Sequence, residues 1–94
     1  MGVDPDRKPQ DAEQRVEPGR LVRGVVTRVE HFGAFVDLGA SGHGLISITD
    51  LKDGPPVEPE DWPHIGAEVE AVVVGVNGHD IRLSLRPSLL RGAV

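Results

Sequence analysis

The sequence predicts an all-β protein, a five-stranded antiparallel Greek-key barrel preceded by a disordered N-terminal arm. Three observations carry that expectation. Five short runs alternate apolar and polar side chains with the period of two that half-buried strands require. Two of those runs contain a glycine and slip by one residue, the pattern of a β-bulge, and bulged, glycine-bent strands turn the corners of small antiparallel barrels. Finally, a proline-rich connection separates the third run from the fourth, whereas Asn77-Gly78 joins the fourth to the fifth as a hairpin.

With 94 residues there is room for one small domain. The formal net charge of −5 makes the chain a poor generic binder of phosphate backbones, so any nucleic-acid contact must rest on a local patch or on stacking. The absence of cysteine excludes a disulfide framework and thiolate metal sites, and fits a reducing compartment. No apolar run is long enough to span a membrane, and no signal-peptide-like segment opens the chain. The expectation is a soluble, cytoplasmic monomer.

Residues 1–18 read as the disordered arm, because their mixed charges and prolines leave no apolar face to bury. The barrel is expected over 19–87 and a C-terminal tail over 88–94. In the first strand, from Leu21 to Val29, positions 22, 24 and 26 share a face and Val29 then falls one residue out of step. Arg23 and Arg28 lie outside the apolar set and are expected to be exposed. Between Gly33 and Gly39, Ala34, Val36 and Leu38 point inward, while Phe35 and Asp37 point outward.

That alternation leaves Phe35 on the outer face, next to Phe32 across the glycine. Aromatic content is only 3%, so it matters that two of the three rings (Phe32, Phe35 and Trp62) fall within four residues. A loop or helix covering the pair would make it structural. Left open, it would be a platform on which bases stack, worth about 1–3 kcal/mol per base. Spacing alone leaves both readings open.

The third strand begins at Gly44 and runs into Leu51. The connection over 52–66 holds four prolines and cannot be an interior strand; one helical turn is expected near Pro59 to Trp62, with Trp62 and Ile65 pinning the segment to the barrel. In the fourth strand, Glu68 to Val76, the inward set is Val69, Ala71 and Val73, with Val76 rejoining it after a slip at Gly75. In the fifth, Asp80 to Arg86, Ile81, Leu83 and Leu85 point inward and Arg82, Ser84 and Arg86 outward; Pro87 ends it. Residues 88–94 form a short helix or fray. Five strands of this kind suggest a barrel of the OB type.

Several stretches resemble the S1 RNA-binding domain family. Gly24-x-Val26-x-x-Val29-x-x-Phe32-Gly33-Ala34-Phe35-Val36-Asp37-Leu38-Gly39 resembles its first half, and Gly44-Leu45-Ile46-Ser47-Ile48-Thr49-Asp50-Leu51 its third strand and following turn. Ile65-Gly66-x-x-Val69 and Ile81-Arg82-Leu83-Ser84-Leu85 resemble the start of its fourth strand and its fifth. The resemblance covers residues 19–86 in order. It implies the OB barrel and a face for single-stranded RNA built from two aromatics, a third-strand histidine, and an acidic and a basic residue around the last hairpin. Phe32 and Phe35 match the aromatics. Ser47 stands at the histidine position, Asn77 at the acidic one, and Asp80 where the family often has arginine.

Other chemistry is poorly supported. Histidines 31, 43, 64 and 79 fit no metal-ligand spacing. Ser47, His43 and Asp50 come with no nucleophile elbow or oxyanion motif, and the glycine-rich 39–44 stretch lacks the Lys-Ser/Thr of a P-loop. No enzyme activity, cofactor or metal is expected. Two readings remain. One is a single-stranded RNA-binding module of weak or modest affinity, an accessory factor in RNA metabolism or translation, acting in a ribosomal or RNA-processing complex. Its candidate site residues are Phe32, Phe35, Ser47 and Asn77, with Arg23, Arg28, Lys52 and Arg82 as phosphate contacts. The other is a protein-interaction adaptor that keeps the barrel but has lost much of the RNA surface.

Overall fold

The computed structural model describes residues 14–54 and 58–93. Five strands form a closed barrel: β1 (Leu21–Glu30), β2 (Gly33–Asp37), β3 (His43–Ser47), β4 (Glu68–Asn77) and β5 (Asp80–Ser84), in the spatial order β1-β2-β3-β5-β4 and back to β1. A one-turn helix, α1 (Pro87–Leu90), follows. Four of the pairings are antiparallel, as expected, while β3 and β5 pair in parallel. An odd number of strands cannot alternate direction all the way around a ring, so closure requires a parallel pair. It falls where two non-consecutive strands meet.

β1 serves two partners. Its first half pairs with β4 and its second with β2, overlapping at Val25. The turn between the halves uses the bulge expected from the sequence: Val26 lies opposite Val36 and Arg28 opposite Phe35, leaving Thr27 as the extra residue. Val29 is thereby returned to the core side, where it packs partly buried. Gly24 is required at the bend, since a Cβ there would collide with Val36 Cγ1 and the Asp37 carbonyl oxygen.

The interior is a single aliphatic layer in which Val22, Val26, Val36, Leu38, Ile46 and Leu83 are all but inaccessible. The expected helical turn occurs as a 3-10 turn at Pro59–Asp61, and Trp62 is anchored in the core at 4% exposure. Ile65, expected to share that task, is instead 67% exposed. Backbone groups hold the segment there: Gly66 N–H donates to the Val26 carbonyl (2.7 Å) and Val26 N–H to that of Ala67 (2.9 Å). Among the described residues no helix is long and apolar enough to cross a membrane.

Three further expectations change. Ser84, expected outward, is fully buried, because the Asp50 carbonyl lies over the end of β5 and accepts from Ser84 Oγ (3.4 Å) and Leu85 N–H (2.7 Å). Val76 does rejoin the inward phase after the bulge between Val73 and Gly75, opposite Ile81, but it lies beyond the barrel rim and stays 44% exposed. The third change concerns the arm. Residues 14–18, placed in a disordered segment by composition, are part of the structure; residues 1–13 lie outside the described residues.

Gln14 accounts for this early start. Pairing of β1 with β2 begins only at Val25, so at Arg23 that edge of β1 is open. The Gln14 side chain fills the gap as a strand would, with Nε2 donating to the Arg23 carbonyl (2.6 Å) and Oε1 accepting from Arg23 N–H (2.6 Å). Gln14 N–H also donates to Ser41 Oγ, and Val16 packs against the core. A neutral polar side chain has no hydrophobic period, so the sequence pattern passes over it. Gln14→Ala should cost about 1 kcal/mol, lowering the thermal midpoint by about 4–8 °C per kcal/mol in a domain of this size. Thermal denaturation followed by circular dichroism checks this.

At the other end, Asp53 clamps α1 to the barrel. Ser88 donates to it from Oγ (2.6 Å) and N–H (3.0 Å), and Arg86 Nε donates at 2.9 Å. The Ser88 hydrogen bonds, then Arg86, hold the Asp53 carboxyl below the ordinary value of 3.8. Its contribution is therefore present above the unfolded-state value and lost as pH falls through the folded one. Asp53→Ala should lower the unfolding midpoint at pH 7, and its difference from the native chain should close as pH is taken below 3.8. Denaturant titrations of both chains across that range measure the effect.

Candidate nucleic-acid interface

Strand pairing assembles the outer face. Arg28 on β1 lies opposite Phe35 on β2, Phe35 opposite Leu45 on β3, and Leu45 beside Arg82 on β5. Residues paired in register share a face, so these side chains form one outward row across four strands. One rung further along β2, Gly33 lies opposite both Glu30 and Ser47, which puts Ser47 next to Phe32.

Gly33 makes this arrangement possible. Its φ of +154° is one that side-chain-bearing residues rarely adopt, and a Cβ there would collide with the Ile46 carbonyl oxygen. The chain can therefore turn from β1 into β2 tightly enough to bring Phe32 and Phe35 together. Their ring centroids are 5.8 Å apart at 89°, an edge-to-face pair, and His31 meets Phe32 at 5.2 Å and 88°. Phe32 is 42% exposed and Phe35 half-buried, with Phe32 and the Arg28 guanidinium against its ring.

Charge on this face is sparse and mixed. The Arg28 guanidinium stands 5.6 Å from the Phe35 centroid and also pairs with Glu30, so part of its charge is neutralised locally. Arg82 is exposed, with no ion pair among the described residues. Beside Phe35 a cleft of about 430 Å³ opens along Leu45 toward the β4–β5 hairpin, with His43, His79, Asp80 and Arg82 on its walls. Asn77 pairs with Asp80 at the hairpin and so sits at the far end of that cleft.

Of the residues singled out in the sequence, Phe32, Phe35, Ser47, Arg28 and Arg82 come together on one face, and Asn77 borders it. Arg23 and Lys52 do not join them. Arg23 is five positions before Arg28 on β1, roughly 16 Å along the strand, and is paired with Glu70 at 3.3 Å. Lys52 lines a separate hollow with Leu51, Asp61, Pro63 and Leu85. The family resemblance had already set Asp80 at the rim of the face, but sequence reasoning left Leu45, His43 and His79 out of the site. Leu45 was within reach, since it alternates with the buried Gly44 and Ile46. The two histidines depend on the parallel pairing of β3 with β5, which has no local signal. Among the described residues no group of three or more His, Asp or Glu could hold a metal ion.

A closed five-stranded barrel with paired aromatics on its outer face places the chain in the OB class of β-barrels. Comparison with known proteins narrows this. Residues 15–86 match the S1 RNA binding domain, and the chain belongs to that family. It is 38% identical over 82 residues to a polyribonucleotide nucleotidyltransferase of a Nitratiruptor species, covering 87% of this chain but only 11% of that enzyme. The chain thus spans about a tenth of that relative's length. Among solved structures it is similar to GSP13 of Bacillus subtilis (29% identity, TM-score 0.71, covering 82% of this chain and 61% of that one). It is also similar to a chain of the a/eIF2alpha-aDim2p-rRNA complex of Pyrococcus horikoshii OT3 (25% identity, TM-score 0.70, covering 83% and 51%).

Gly33→Ala should destabilise the domain by about 3 kcal/mol or more, because both the backbone angle and the Ile46 carbonyl oppose a side chain there. Urea unfolding would measure the loss, and in the folded fraction the Phe32 and Phe35 ring resonances should move.

Proposed function

We propose that the chain is a single-stranded RNA-binding module that stacks bases on Phe32 and Phe35, with Arg28 and Arg82 contacting phosphate. It acts as a cytoplasmic accessory factor in RNA metabolism or translation. The observation that carries this reading is the edge-to-face Phe32–Phe35 pair, open on the outer face with Arg28 against the Phe35 ring. A partly exposed ring pair offers a flat apolar surface on which the π-face of any base can stack. Membership of the S1 family supports RNA as that ligand. Affinity is weak to modest, because among the described residues two arginines stand on the face and one of them is shared with Glu30.

Two phosphate contacts correspond to a slope of log K against log salt of about −1.4 for a single strand. Phe35→Ala should weaken binding of a short single-stranded RNA by about 1–3 kcal/mol while the domain stays folded. Titration followed by backbone amide shifts reads affinity and location together, and the shifts should centre on residues 32–35, 45 and 82. Shifts on another face, or unaltered affinity in a folded Phe35→Ala, would refute the reading. If no RNA binds, the carboxylates of Glu30 and Asp80 on this face favour the adaptor reading instead.

A further inference from the structure

The cleft beside Phe35 ends in a group ill-suited to the backbone of a nucleic acid. Asp80 is exposed, lines the cleft, and its carboxylate makes no hydrogen bond or ion pair among the described residues. The neighbouring carboxylate on the same face, Asp37, is already engaged by Gly39 N–H at 2.8 Å. A carboxylate accepts hydrogen bonds and repels phosphate, so the part of a nucleic acid it can bind at close range is a base edge rich in donors.

Arg82 complements it. Asp80 and Arg82 flank Ile81 on β5, and since Ile81 is buried both neighbours point outward. The cleft therefore presents an acceptor pair and a donor fork side by side. Among the four bases of RNA, only guanine has two adjacent donors, N1–H and N2–H, followed directly by an acceptor, O6. Adenine, cytosine and uracil have at most one donor group on that edge.

Size points the same way. From Phe35 on β2 to Asp80 on β5 is two strand spacings across and two residues along, roughly 12 Å between backbones, over the floor made by Leu45 and Gly44. A single-ring pyrimidine stacked on Phe35 stops short of the carboxylate, whereas the two rings of a purine extend further toward it. The cleft's volume of about 430 Å³ is within the range of small-molecule sites and exceeds what one base fills.

We propose that this cleft is a guanine-selecting subsite in which the Asp80 carboxylate accepts from N1–H and N2–H and the Arg82 guanidinium, which contacts phosphate in oligomers without guanine, turns to donate to O6. The proposal rests on the reading of the Phe32–Phe35 face as an RNA platform and adds base selectivity to it. The histidines at positions 43 and 79 form the walls of the subsite.

The test uses the full chain and fluorescently labelled hexauridylate, compared with the same oligomer carrying one internal guanosine, inosine or adenosine. The guanosine oligomer should bind about tenfold more tightly than hexauridylate, as expected of one good bidentate base contact. Adenosine should give no such gain, and inosine, which lacks the N2 amine, should fall between. Asp80→Asn should abolish the guanosine preference while leaving hexauridylate binding equal or tighter, with an amide spectrum that shows an intact fold. Equal affinity for the guanosine and adenosine oligomers, or a guanosine preference that survives Asp80→Asn, overturns the subsite. If Phe35 still responds to RNA in that case, the platform stands without it. Failure of every oligomer to bind overturns both.

Discussion

Closure of an odd-stranded ring is the constraint on which the rest of this structure depends. Five strands cannot all run antiparallel to their neighbours, so one pair must be parallel, and here it is β3 with β5. A parallel pair cannot be joined by a tight turn. Between β3 and β5 the chain runs through residues 48–67 and then β4 and its hairpin, the connecting segment pinned by Trp62 in the core, by Gly66 N–H donating to the Val26 carbonyl and by Val26 N–H donating to that of Ala67. The same pairing sets Leu45 beside Arg82 and so completes the outward row that begins with Arg28 and Phe35.

Narrowness is the second consequence. The interior holds one layer of aliphatic side chains, and strands pass so close that Gly24 and Gly33 have no room for a Cβ. Phe35 stands on the face opposite the buried Ala34 and Val36 of β2, with Phe32 against it, and the pair supplies a surface that function can use. Because the aromatic rings sit on strands and the tight turn between them rather than on long loops, their spacing is held by the ladder itself, which reduces the ordering cost of a ligand that stacks on them.

Electrostatics then shapes what that surface can bind. A chain of net charge −5 has little general attraction for phosphate. Arg28 is held against Phe35 and tied to Glu30, and Arg82 lies two positions from Asp80. Each cation on the face has a carboxylate close to it in structure or in sequence. Such a surface favours contacts to bases over contacts to backbone, so stacking and edge recognition outweigh charge.

Much of this was legible in the amino-acid sequence. Period-two alternation identified five strands, the one-residue slip before Val29 located the β1 bulge, and the isolated aromatic pair marked the outer face, because each is a local relation between residues a few positions apart. Ser84 and Ile65 show where that logic stops: both obey the alternation or the apolar rule, yet Ser84 is covered by the Asp50 carbonyl and Ile65 stays exposed. Gln14 is the counterpart, a polar residue with no pattern that nonetheless fills the open edge of β1. Local pattern was enough for the strands, most of their inward positions and the Phe32–Phe35 pair, and the family resemblance for Asp80 at the rim of the face. Strand closure settled that Arg23 and Lys52 stand apart from that pair while Leu45, His43 and His79 join it. Those neighbours are set by which strands meet when the ring closes, and that relation spans more than thirty residues between Leu45 and Arg82.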